Sequence, residues 1–130
     1  MKILIIDNDI NTVTTLKALI LSREAFDIDV AYGGKEGLEK MTANPNYNLL
    51  ILDIMMPGVS GMDVCRAMSK DEKMKNIPVL LVSALPIASK ELRELLDQFN
   101  ETHVVGGVLE KPFEIENLLG EVHRLAKVSS

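Results

Sequence analysis

The chain has 130 residues, a net charge of −5 and a 47% hydrophobic composition, enough for one domain that buries a core without disulfide or metal staples. Lys and Arg are dispersed with no aromatic-basic stripe, which excludes direct nucleic-acid binding by this domain, and no apolar run approaches the length of a membrane span. The single cysteine cannot pair internally, and the amino terminus has no signal-like character; both fit a reducing, cytoplasmic location.

Lys2-Ile3-Leu4-Ile5-Ile6 reads as a strand and ends abruptly in Asp7-Asn8-Asp9. Val13, Leu16, Leu19 and Ile20 then recur at helical period, predicting a helix over 10–22 whose start Asn11 or Thr12 can cap. Asp27 to Tyr32 alternates polar and apolar, the pattern of an edge strand, and Gly33-Gly34 ends it. Leu38 and Met41 mark a short second helix that stops at Asn44-Pro45. Leu49-Leu50-Ile51-Leu52 is a continuous aliphatic run suited to a strand covered on both faces, and it delivers Asp53 to the carboxyl edge of a parallel sheet, where open α/β folds bind ligands.

Pro57 and Gly58 turn the chain after Asp53. Met62, Cys65 and Met68 share one face of a third helix, so Cys65 reads as a small core residue. Val79 to Val82 is a fourth strand ending in Ser83-Ala84, and Pro86 is placed to open a helix with Leu92, Leu95, Leu96 and Phe99 on its apolar face and a stop at Asn100. Val104 to Leu109 is a fifth strand ending in Glu110-Lys111-Pro112-Phe113. Ile115, Leu118, Leu119, Val122 and Leu125 define the last helix. His103 and His123 have no second ligand at a useful spacing and read as surface or interface histidines. Residues 1–126 form the domain, and 127–130 read as a tail or the start of a linker.

Successive β-α units require right-handed crossovers and a parallel sheet. Carboxylates at two strand ends suit a hard cation, a hydroxyl at a third adds a donor, and Lys111 supplies a point charge for a phosphoryl oxygen. In this order, the acid cluster, the Asp53 to Gly58 loop, Ser83 and Lys111-Pro112-Phe113 resemble the receiver domain of two-component response regulators. The resemblance covers nearly the whole chain. It implies a flavodoxin-like doubly wound α/β fold with strand order 2-1-3-4-5, which puts the first and third strands at the switch point.

The resemblance also implies site roles. Asp53 is the phosphoacceptor, and Mg²⁺ is held by Asp7, Asn8, Asp53 and the backbone carbonyl of Met55. Ser83, Ala84 and Lys111 contact the phosphoryl group, Pro57, Gly58 and Pro112 shape the loops, and the Lys111-Pro112 bond is cis. Lys111 itself is expected to be an exposed charge at a strand end. The implied partners are a sensor histidine kinase or histidine phosphotransfer protein, and a downstream protein or output domain. The face formed by the fourth helix, fifth strand and fifth helix carries the signal and any homodimer contact. Two positions depart from the pattern: Asn8 stands where the family has a second acid, and Val108 stands where an aromatic partners Ser83 as the switch. These departures keep open a degenerate receiver that serves as a phosphate-independent docking module. Asp7-x-Asp9 also resembles the first motif of haloacid-dehalogenase-type phosphohydrolases, but Asn11 and the absence of a later acidic pair weaken that match.

Overall fold

The computed structural model describes residues 1–126, and the tail or linker expected at 127–130 lies outside the described residues. Strands and helices alternate as β1 (Lys2–Ile6), α1 (Ile10–Leu21), β2 (Asp27–Ala31), α2 (Gly34–Ala43), β3 (Leu49–Asp53), α3 (Gly61–Ser69), β4 (Val79–Ser83), α4 (Lys90–Asn100), β5 (Val105–Glu110) and α5 (Ile115–Ala126). The five strands form one sheet in the order β2-β1-β3-β4-β5, and every pairing is parallel. This is the doubly wound order expected from the sequence, with β1 and β3 adjacent at the centre.

The aliphatic runs explain the layers. Alternate residues of a strand face opposite sides, so Leu4, Ile6, Leu50, Leu52 and Leu81 pack under α2, α3 and α4 against Met41, Cys65, Met68, Leu92 and Phe99. Ile3, Ile5, Leu49, Ile51, Leu80 and Val82 pack on the other side against Val13, Leu16 and Ile20 of α1 and Leu118, Val122 and Leu125 of α5. Burial pushes the Cys65 thiol up to about 12, so it is a core side chain, as its helical spacing indicates. On β5 a Cβ at Gly106 would lie 2.5 Å from Leu125 Cδ2, so the bare glycine lets α5 seat directly on that strand.

Three local expectations change. The α1 cap is Asp9, whose carboxylate accepts from the Asn11 amide at 3.0 Å and the Thr12 hydroxyl at 3.0 Å; neither Asn11 nor Thr12 caps it. β2 stops at Ala31 because the Tyr32 amide turns to Glu36 Oε2, at 2.8 Å, instead of the ladder. Pro86 does not open α4. That helix starts at Lys90 behind Ser89, whose hydroxyl accepts from the Leu92 amide at 3.2 Å, and Pro86 lies in the loop before it. Both histidines are on the surface: His103 is exposed, and the half-exposed His123 lies 2.5 Å from Glu24 Oε1 and edge-on to Phe26. No helix among the described residues is long and apolar enough to cross a membrane.

Candidate functional site

Asp53 is the last residue of β3 and pairs in register with Val82, while Ile6 pairs with Leu52. Asp7, which follows β1, and Ser83, the last residue of β4, therefore stand on either side of it at the carboxyl edge. Asp53, Asp7 and Ser83 are 8%, 2% and 1% exposed, a degree of burial unusual for carboxylates.

The charges are not balanced. Asp7 accepts from the Asp9 amide at 2.9 Å through Oδ1, and its Oδ2 lies 3.6 Å from Lys111 Nζ. One ammonium thus faces two carboxylates. Burial, followed by the neighbouring charge of Asp7, pushes Asp53 up to about 6, against the opposing pull of Lys111 and the Met55 amide that bonds it. A cluster of oxygen donors with surplus negative charge fits a hard divalent cation, which takes carboxylate and carbonyl oxygens and keeps water on its remaining positions. Asn8 is exposed beside Asp7, and Asp9 is committed to the α1 cap.

The remaining residues surround this pair. Ser83 Oγ accepts from the Leu85 amide at 2.9 Å and donates to the Leu85 carbonyl at 3.0 Å, so the hydroxyl is tied into the β4–α4 loop. Ala84 is exposed next to it. Gly58 has φ +71, a left-handed conformation that glycine adopts without steric penalty, and it follows the exposed Pro57 in the turn over Asp53. The Lys111–Pro112 bond is cis. Val108 is half-buried against the core. Lys111 departs from the sequence reading: its side chain is 27% exposed and pairs with the buried Asp7, so it is not a freely solvated charge. Glu110, which the sequence marks only as an acid at a strand end, bonds the Ile87 amide through Oε1 at 2.8 Å. No local pattern announces that contact, because its partner lies on another segment.

The family model of the response regulator receiver domain matches residues 3–123. The chain belongs to that family. Among similar curated proteins, response regulator ArlR of Staphylococcus saprophyticus is 31% identical over 126 residues, covering 97% of this chain and 52% of that protein. ArlR of Staphylococcus aureus is 29% identical over 126 residues, with the same coverage of 97% and 52%. This receiver spans about half the length of the curated relatives it matches. Among solved structures, the Francisella response regulator 1452 receiver domain is 28% identical with a TM-score of 0.79, covering 97% of this chain and 96% of that one. Vibrio cholerae chemotaxis protein CheY4, at 23% identity and a TM-score of 0.82 over 95% of this chain and 97% of that one, shares the fold.

Proposed function

We propose that this receiver accepts a phosphoryl group on Asp53 and relays the change through α4, β5 and α5. The observation that carries the reading is the convergence of Asp53, Asp7, Ser83 and Lys111 at one sheet edge. An oxygen of Asp53 attacks phosphorus on a partner's phosphohistidine or on a small acyl phosphate; the P–O bond to Asp53 forms, the bond to the leaving group breaks, and the leaving group takes the electron pair. Lys111 holds a phosphoryl oxygen by a charge-assisted bond. Ser83 gives up Leu85 and donates its hydroxyl to another oxygen, with Ala84 beside it. Asp7, Asn8, Asp53 and the Met55 carbonyl are the residues we assign to Mg²⁺. Bound there, the cation supplies the positive charge that lets an anionic phosphoryl group approach an anionic carboxylate.

The partners follow from this chemistry: a sensor histidine kinase or histidine phosphotransfer protein as donor, and a downstream protein or output domain as reader. The exposed apolar side chains Ile10 and Met55, 63% and 60% exposed, stand beside the acids and support a protein donor. The phosphohydrolase alternative places phosphate on Asp7 and needs Asp9 as acid-base, a role that competes with its helix cap. Intact mass after acetyl phosphate and Mg²⁺, with peptide mapping of the modified residue, tests the reading: phosphate on Asp53 is expected, and phosphate on Asp7 or none at all defeats it. The docking-module alternative predicts that last outcome.

Two variants are expected to change the site in opposite senses. Lys111→Ala should phosphorylate at least about tenfold more slowly, for loss of a charged contact. It should also lose about 1–2 kcal/mol of stability, because buried Asp7 then faces Asp53 without its cation, discounted for partial exposure. Stopped-flow phosphorylation and urea unfolding check the two effects, and a wild-type rate removes Lys111 from the phosphoryl site. Asn8→Asp should bind Mg²⁺ more tightly, since it adds an anion around a cation that gives up water reluctantly. Equal affinities by Mg²⁺ titration would count against Asn8 as a metal position.

A further inference from the structure

We infer that Glu110 is a positioning residue for phosphorylation, a latch that holds the β4–α4 loop in its unphosphorylated arrangement. This inference rests on the phosphoacceptor reading of Asp53. Ser83 and Glu110 are register partners at the ends of β4 and β5, and each ties a different point of the same loop. The Ser83 hydroxyl holds Leu85 through two bonds. The Glu110 carboxylate holds Ile87, two residues further on, with Oε1 2.8 Å from the amide. Past that point the loop closes on itself: the Ser89 amide and hydroxyl donate to the Pro86 carbonyl at 3.0 and 2.7 Å, and α4 begins.

The strand ends are tied together, because the Lys111 amide donates to the Ser83 carbonyl at 2.7 Å and keeps β4 and β5 zipped up to the site. The loop is the part that can move. When the Ser83 hydroxyl leaves Leu85 for a phosphoryl oxygen, the loop is released at Leu85, and its full rearrangement then has to break the bond from Ile87 to Glu110. A contact present in one state and lost in the other biases the equilibrium by its own free energy. An amide bonded to a carboxylate is stronger than a neutral pair. Val108 sits in the cleft between Ile87 and α5 and has no ring to fix the loop by occupying or leaving that space. In this chain the task falls to the carboxylate two residues later.

The test compares wild type, Glu110→Ala and Glu110→Gln. The glutamine keeps an oxygen that accepts the Ile87 amide but carries no charge, so it separates a latch from an electrostatic effect on Lys111. Without donor, amide hydrogen exchange at Ile87 should quicken about tenfold in Glu110→Ala, as expected for loss of one such bond. It should stay within about threefold in Glu110→Gln, and the core amides of Ile5 and Ile51 should be unchanged in both. With acetyl phosphate and Mg²⁺, the alanine protein should gain mass severalfold faster than wild type and the glutamine protein at nearly the wild-type rate. Wild-type exchange at Ile87 in Glu110→Ala overturns the latch. So do equal rate changes in the alanine and glutamine proteins, which would mark a charge effect, and so does one common rate in all three. No mass gain in wild type overturns the phosphoacceptor reading itself, a result distinct from the others.

Discussion

An Asp53→Asn protein is expected to keep its unmodified mass in acetyl phosphate and Mg²⁺ under conditions where the wild type gains one phosphoryl group. It should also be more stable than wild type at neutral pH in metal-free buffer. The loss follows from removing the nucleophilic carboxylate; the gain follows from removing a buried charge beside another. Burial and Asp7 raise Asp53 from 3.8 to about 6, so between those values the folded protein holds a proton that the unfolded chain has released. Stability therefore falls as pH rises through that window, and the penalty is complete above about pH 6. At full strength the difference is about 3 kcal/mol, which solvent screening at the open edge of the site reduces to about 1–2 kcal/mol. Urea unfolding from pH 4 to 7 should show a declining limb in wild type that is flattened in Asp53→Asn. A phosphorylated Asp53→Asn protein would refute the assignment of the acceptor, and parallel pH profiles would refute the electrostatic account.

A Phe99→Ala protein is expected to lose about 3–5 kcal/mol of stability, or about 10–20 °C in Tm for a chain of this size. Phe99 is 1% exposed, and with Leu92 it is one of the two α4 side chains buried outright. Leu95 and Leu96 only border the same core. Truncation removes the apolar burial of a whole ring and leaves a void between α4 and the sheet that its neighbours fill incompletely. Phe99→Leu should cost less, about 1–2 kcal/mol, because most of the volume remains. Asp53, Asp7 and Lys111 are placed by β3, β1 and β5, so phosphorylation of the alanine protein well below its Tm should keep the wild-type rate. A stability loss under about 1 kcal/mol would mean that α4 does not rest on the sheet through this ring.

The strands were legible because their cause is local. Leu49 to Leu52 and Val79 to Val82 are aliphatic without a break, and only a strand sandwiched between helix layers buries both of its faces. The order of elements then left few parallel topologies, and the sheet adopts the one anticipated, with Asp53 and the β1 acids side by side. The boundaries were less legible wherever several residues could do the same job. Asp9, Asn11 and Thr12 are all competent caps, and it is Asp9 whose carboxylate takes the Asn11 amide and the Thr12 hydroxyl. That choice matters for the site, since it commits Asp9 to the helix and leaves Asp7 and Asp53 as the buried pair.

Composition, strand and helix periodicity, and the identity of the residue at each strand end were determined by the sequence alone, because hydrophobic period and turn chemistry act over a few residues. The tertiary structure decided what those residues do to one another. Lys111 became a half-buried partner of Asp7 across more than a hundred residues of chain, and Asp53 became a weaker acid through burial and the proximity of Asp7. Pro86 remained in a loop, where Glu110 on a different strand takes the Ile87 amide, and α4 starts later, behind its Ser89 cap. Charges and amide bonds act through distances in space, and sequence separation does not encode those distances.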